Sequence, residues 1–287
     1  MSAVGDALAA AELSPRDYED FCAYFLHRTG IAFDAGKRYF VDKRLLARMA
    51  QTGHPGFDSY FAALRSGLWE AEVQALINAM TVNETYFFRE EYQLQCLSNS
   101  LLPELLTRLP EDATLRLWSV PCASGEEPYS IAIHLLDQWA DIEQRAVEIF
   151  GSDIDTAMLA AARRGFYSPR ALQHAPPSVL HRYFKAEAGG YRISQDLSEC
   201  VAFSTVNVAD PVSMRAYRDM DVIFCRNVLI YFDDFSRRIA ADALFDALRP
   251  GGFLCLGHSE SMSRISPLFE VRRFPDAIVY QKPLEPR

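Results

Sequence analysis

The chain has 287 residues, enough for two domains and too few for three, and 49% of them are hydrophobic, which excludes a disordered polymer. A formal charge of −9 argues against a general binder of nucleic-acid phosphates. No run approaches the roughly 20 apolar residues that span a bilayer. The N-terminal stretch lacks a basic region and carries Asp6 and Glu12, so it does not read as a signal peptide, and a cytoplasmic protein is expected. Cys22, Cys96, Cys122, Cys200, Cys225 and Cys255 are scattered without a C-x-x-C pair, several of them in apolar runs. They predict reduced, mostly buried thiols and no metal site.

Ser14 before Pro15 predicts a capped helix start, and Phe21, Tyr24 and Phe25 continue with helical spacing. Leu45, Leu46 and Met49 extend the pattern until GHPG (53–56) interrupts it. Further helices are expected through Tyr60, Phe61 and Leu64, and through Val73, Leu76, Ile77 and Met80. With no strand signal among them, residues 1–82 are expected to form a small all-α domain. Lys37, Arg38, Lys43, Arg44 and Arg48 crowd twelve residues of it, offset only by Asp42. Lys37, Arg44 and Arg48 fall at spacings of seven and four, which could put them on one helix face. On charge pattern alone this is a solvated surface.

A polar and aromatic connector, 83–90, contains Asn83, Thr85 and Arg89 among Tyr86, Phe87 and Phe88. It reads either as an amphipathic link or as a segment that crosses a cleft. From about Leu115 the texture changes. LRLWSV precedes a helix expected over Glu126–Trp139, AVEIFG one over Thr156–Arg164, and DVIFC one through Phe235–Leu248, with GGFLCLG after it. Such alternation predicts a mostly parallel sheet covered by helices, and FEVRRF–PD–AIVYQK adds an antiparallel hairpin at the edge. The stretch at about 165–200, with Pro176–Pro177 and Gly189–Gly190, breaks the alternation and predicts a small inserted β-subdomain within 91–287.

Ligands of open α/β sheets bind at the carboxyl ends of the strands. After the first strand comes PCASGEEPYS (121–130), a small-residue turn into a helix. Gly125 stands alone, so a dinucleotide fingerprint is missing, which disfavours an oxidoreductase. Glu126 and Glu127 would repel a pyrophosphate and suit a ligand bearing positive charge, or they merely favour a helix N-terminus. In GSDIDT (151–156), Asp153 lies nearer the strand end and is preferred as a ribose ligand, while Asp155 fits a helix N-cap. Arg226 and Asn227 follow an apolar strand and need a ligand or a neighbouring carboxylate. Tyr231, four residues beyond Asn227, could aim its hydroxyl at the same cleft or sit in the core.

NETYFFRE, SGEEPYS, GSDIDT, FCRNVLIYF and GGFLCLGHSES, in that order, resemble the motif series of the bacterial chemotaxis receptor methyltransferases, the CheR family. The resemblance implies a class I S-adenosylmethionine-dependent methyltransferase fold, Rossmann-like, preceded by the all-α domain and carrying the inserted β-subdomain. It implies that the cofactor is held by Asn83, Thr85, Arg89, one or both of Glu126 and Glu127, Asp153, Asn207, Val208, Arg226 and Asn227. Arg89 and Tyr231 match positions near the transferred methyl group. The implied reaction esterifies glutamate side chains of chemoreceptors, giving S-adenosylhomocysteine as product. The acceptor carboxylate has a pKa near ~4.3 and needs no general base, so His258 reads as a structural hydrogen-bonding residue. The basic stretch Lys37–Arg48 would then dock on an acidic receptor helix bundle. Pro121 and Ala123 depart from the family's first loop and should change its rigidity. The short segment between Tyr183–Phe184 and Tyr191 disfavours tethering to a receptor pentapeptide, and a match to the longer family variants with tetratricopeptide repeats is not expected. A monomer is expected. Methylation of some other carboxylate, or cofactor binding without catalysis, are the alternatives.

Overall fold

The computed structural model describes residues 13–284, so the N-terminal stretch read for a signal peptide lies outside the described residues. The chain divides into two compact units. One runs up to Val82 and also takes in Tyr231–Ser236, and the other comprises the remaining residues.

In the first unit, helix α1 (Pro15–Thr29) starts where the Ser14 side chain accepts a hydrogen bond from the Asp17 N–H, and ends at the left-handed Gly30. Tyr18, Phe21 and Phe25, three and four residues apart, form its buried face. Helix α2 (Arg38–Gln51) buries Val41, Leu45 and Met49. Helix α3 (Phe57–Arg65) follows the GHPG break, and α4 (Glu70–Met80) buries Val73, Leu76, Ile77 and Met80. Both α2 and α3 pack on α4. Glu72 is 4% exposed, and its carboxylate accepts from Arg48 and from the Tyr60 hydroxyl at 2.6 Å.

The second unit begins with the connector and a helical stretch made of α5 (Glu91–Cys96), a π-turn (Leu97–Leu101) and α6 (Leu102–Leu106). In chain order there follow β1 (Leu115–Ser119), α7 (Glu126–Gln138), β2 (Val147–Asp153), α8 (Thr156–Arg164), β3 (Phe166–Tyr167), α9 (Pro177–Tyr183), β4 (Phe184–Glu187), β5 (Gly190–Ile193), α10 (Gln195–Glu199), β6 (Val201–Thr205), α11 (Pro211–Met214), β7 (Met220–Cys225), α12 (Asp234–Ala247), β8 (Leu248–Leu256), β9 (Glu270–Arg273) and β10 (Ile278–Gln281). The main sheet has the order β6-β2-β1-β7-β8-β10-β9. Its first five strands are mutually parallel, and β10 enters antiparallel to both of its neighbours. Strands β1 and β7 are buried almost throughout, as strands covered on both faces must be. The order reverses at β1, because β2 and β6 build outward on one side while β7 and β8 build on the other. Past Ser119 the chain reaches both ways: the Val120 N–H bonds the Phe224 carbonyl of β7, and the Cys122 N–H bonds the Ser152 carbonyl of β2. This opens a crevice at the carboxyl ends of β1 and β7.

Strands β3, β5 and β4 form a separate three-stranded antiparallel sheet, the β-structure that the 165–200 stretch predicts. Among the described residues, no helix is long and apolar enough to cross a membrane.

Candidate active site

Gly125, with φ 93°, carries the chain from the first loop into α7. A Cβ there would stand 2.9 Å from the Ala162 Cβ and 3.1 Å from the Tyr129 ring, so glycine is demanded by conformation and by space. The tight approach places Glu126 and Glu127 at the start of α7, beside the end of β1. Glu126 is 4% exposed and both of its oxygens accept from the Ser124 hydroxyl, at 2.9 and 2.8 Å. Burial pushes its carboxyl up. Glu127 accepts from the Ser119 hydroxyl at 2.7 Å and from Arg226 at 2.9 Å. Burial pushes its carboxyl up as well, with Arg226 pulling against it.

At the end of β2, Asp153 accepts from the Ala123 and Asp155 N–H groups, each at 2.8 Å. Burial raises its carboxyl to about 6. Asp155 caps α8 by accepting from the Ala157 and Met158 N–H groups, and its other oxygen accepts from Asn83 at 2.8 Å. Thus the two acids of GSDIDT divide their labour: Asp155 is committed to the helix, and Asp153 faces the loop after β1.

The connector runs across these strand ends. Asn83 bonds Asp155 after β2, the Phe88 N–H bonds the Ser130 hydroxyl on α7, and the Arg89 carbonyl accepts from Arg226 after β7. Phe87 is fully buried edge-on against Tyr167 and Phe184 of the inserted sheet, and its N–H bonds the Ala171 carbonyl. Phe88 and Glu90 flank Arg89 with φ of 61° and 55°. Two left-handed non-glycine residues around one arginine are held only because neighbours over-determine them. The Arg89 guanidinium donates to the Glu84 carbonyl at 2.9 Å and lies over the Tyr86 ring. Thr85 is half-buried.

Arg226, 5% exposed, bridges Glu127 at 2.9 Å and Glu90 at 3.3 Å. Of the two ways to satisfy it, the neighbouring carboxylates do so here. Although burial pushes the Glu90 carboxyl up, Arg226 and His258 overcome this and hold it below its ordinary value. His258, mostly exposed, pairs with Glu90 at 3.0 Å, the structural role expected of it. Asn207 and Val208 follow β6. The Asn207 amide oxygen accepts from the Ala209 N–H, and Val208 is buried. Asn227 has φ 58° directly after β7. Tyr231 ends the Leu229–Tyr231 turn, and its carbonyl accepts from the Ala32 N–H, so it groups with the helical unit. Its place there has no signal in the spacing of FCRNVLIYF.

The five residues of the expected basic face differ in what they touch. Arg48 is spent on buried Glu72, which requires a counter-charge, and Arg44 donates to the Ala79 carbonyl at 2.8 Å and stacks on Phe40. Arg38 pairs with Asp42 at 3.4 Å. Lys37 and Lys43 stand exposed. One further residue goes unannounced by the sequence. Glu260, in LGHSES, accepts from the Asn227, Val228, Leu229 and Gly257 N–H groups. A lone acid after an apolar strand was its only signal.

Three carboxyls raised by burial meet around the first loop, and the neighbouring Arg226 Nε is buried without a hydrogen-bond partner among the described residues. Acids of this kind fit a ligand that brings positive charge and hydroxyl donors, as a sulfonium amino acid joined to a ribose does. With the strand order described above, this is a class I S-adenosylmethionine-dependent methyltransferase. Residues 83–278 match the family model described as CheR methyltransferase, SAM binding domain, and residues 16–81 match CheR methyltransferase, all-alpha domain. The chain is 49% identical over 268 residues to chemotaxis protein methyltransferase 2 of Vibrio cholerae, covering 92% of this chain and 93% of that protein. It is 36% identical to the chemotaxis protein methyltransferase of Salmonella typhimurium, covering 91% and 88%, and 34% identical to that of Escherichia coli, covering 91% and 89%. The chain belongs to the CheR family of chemotaxis methyltransferases.

Proposed function

We propose that the enzyme methylates glutamate side chains of chemoreceptors, forming γ-methyl esters. When bound, S-adenosylmethionine supplies an electrophilic methyl group on a sulfonium. Glu126 and Glu127 at the start of α7 balance the positive charge of the aminoacyl portion, and Asp153 accepts from the ribose hydroxyls. Asn207 and Val208 flank the adenine edge. Asn83, Thr85 and Arg89 close the connector over the site, and Arg226 with Asn227 lines it from β7. Because Arg226 is already paired to Glu127 and Glu90, its main work is to hold those acids and the Arg89 backbone in place.

What supports the choice of acceptor is the match to chemotaxis methyltransferases, together with the chemistry of a carboxylate. A carboxylate with a pKa near ~4.3 is ionised at neutral pH and needs no deprotonation. His258, the one histidine in these motif loops, is tied to Glu90. Catalysis then rests on aligning and partly desolvating the acceptor. Charge is neutralised along the reaction, so a strong cationic clamp on the acceptor would favour the ground state. Tyr231, at the end of the turn after Asn227, is therefore assigned to orient the acceptor, and Arg89 to site closure. Lys37 and Lys43 are assigned to docking on an acidic receptor surface, with Arg38, Arg44 and Arg48 shaping the helix that presents them. The domain division, 1–82, 83–90 and 91–287, follows the same roles: docking, closure and chemistry.

The test is transfer of labelled methyl from S-adenosylmethionine to chemoreceptor cytoplasmic fragments, followed by mild alkaline release. Label recovered as methanol, and lost when receptor glutamates are replaced, is the expected result. Transfer to a base-stable product, or none to any receptor fragment, would overturn the reading.

A further inference from the structure

We infer that Glu260 is a positioning residue of the methyltransferase site, the anchor that fixes the Arg226–Asn227–Leu229 turn against β8. The inference rests on the assignment of this turn to the cofactor site. The Glu260 Oε2 accepts from the Asn227 N–H at 2.7 Å and the Gly257 N–H at 3.0 Å, while Oε1 accepts from the Val228 and Leu229 N–H groups at 3.0 and 2.8 Å. Four backbone donors thus converge on one carboxylate. Three of them are consecutive residues of the turn, and the fourth belongs to the residue just past β8.

The need for such an anchor is local. After Cys225 the chain must leave the sheet at once, and Asn227 does so at φ 58°, a left-handed region that L-residues avoid and asparagine tolerates best. Consecutive N–H groups in this conformation form a concave nest of donors that favours an anion. Glu260 fills that nest from within the protein. A Cβ on Gly257 would come 2.7 Å from the Asn227 side-chain amide nitrogen and 3.0 Å from Glu260 Oε2, so a larger residue there would push on these two side chains. Arg226 and the Asn227 side chain are carried by the backbone that Glu260 holds. Glutamine could offer only one acceptor oxygen and would aim an NH2 group at N–H donors.

The experiment compares Glu260→Gln, Asn227→Ala and Leu197→Ala by calorimetric binding of S-adenosylhomocysteine and by thermal unfolding. Leu197, buried in α10, serves as a purely structural control. The expected result is a cofactor affinity at least tenfold weaker for Glu260→Gln, while Leu197→Ala lowers the melting temperature without that loss. An affinity for Glu260→Gln within twofold of the parent, with only a lowered melting temperature, overturns the inference. Unchanged affinity in Asn227→Ala would instead refute the assignment of the turn to the cofactor site. If Glu260→Gln does not fold, Glu260→Asp is judged in its place. It keeps the charge but draws the carboxylate back by about 1.5 Å, and a threefold or greater loss supports positioning while no loss overturns it.

Discussion

Replacing Arg226 by methionine tests the central electrostatic argument. The guanidinium is nearly sealed from solvent and neutralises Glu127 at 2.9 Å and Glu90 at 3.3 Å while donating to the Arg89 carbonyl. Methionine matches its length and leaves two largely buried carboxylates, 11% and 15% exposed, without their cation. Breaking a buried pair in this way costs about 3–5 kcal/mol. At roughly 2–4 °C per kcal/mol for a unit of this size, the melting temperature should fall by about 6–20 °C. The sign of the pH dependence follows from linkage. In the parent, Glu90 is held below its ordinary value, so its contribution is present at neutral pH and is lost as pH falls through the folded pKa. In the variant both carboxyls rise, because burial remains and the cation is gone. The folded state then binds more protons than the unfolded one, and stability drops as pH rises, by about 1.4 kcal/mol per unit for each group between its unfolded and folded pKa. Urea unfolding of parent and variant without cofactor, at pH 5 and pH 7.5, reads this directly. The deficit should be larger at pH 7.5. An equal deficit at both values, or one below about 1 kcal/mol, would refute the account of Arg226 as the counter-charge of these two acids.

Other consequences are separable. If Asp153, raised to about 6 by burial, accepts from the ribose as proposed, its ionised form binds best and cofactor affinity should be about tenfold weaker at pH 5 than at pH 7, with Asp153→Asn weak and flat across that range in the same titration. A parallel pH profile in the two proteins would dissociate Asp153 from the cofactor. Gly125→Ala should cost about 1–3 kcal/mol in urea unfolding and weaken cofactor binding, since a Cβ would meet Ala162 and Tyr129. Tyr231→Phe should keep cofactor affinity and lose turnover in the methyl-transfer assay; unchanged turnover would remove it from acceptor orientation. Lys37→Glu with Lys43→Glu should slow transfer to receptor fragments, more so at low salt, while leaving melting temperature and cofactor affinity unchanged.

Much of this protein was legible residue by residue. Ser14–Pro15 marks the start of α1, and Thr156–Arg164 was bounded by its own cap, because caps and turns depend on atoms only a few residues apart. The alternation of apolar runs with helical spacing determined a parallel sheet, and GEEPYS and GSDIDT fall where β1 and β2 end. What the sequence could not reveal is which charges meet. Arg48 looked like surface charge until α2 packed on α4 and set it against Glu72, 24 residues away. Glu127 and Arg226 are 99 residues apart, and Gln93 lies 163 residues from the Leu256 carbonyl it bonds. Glu260 differs from any solvent-facing glutamate only because β8 returns beside β7 and delivers it beneath the Asn227 turn. Periodicity reports which face is buried, whereas the partner of a buried charge depends on strand order and crossover, and only the folded sheet supplies those.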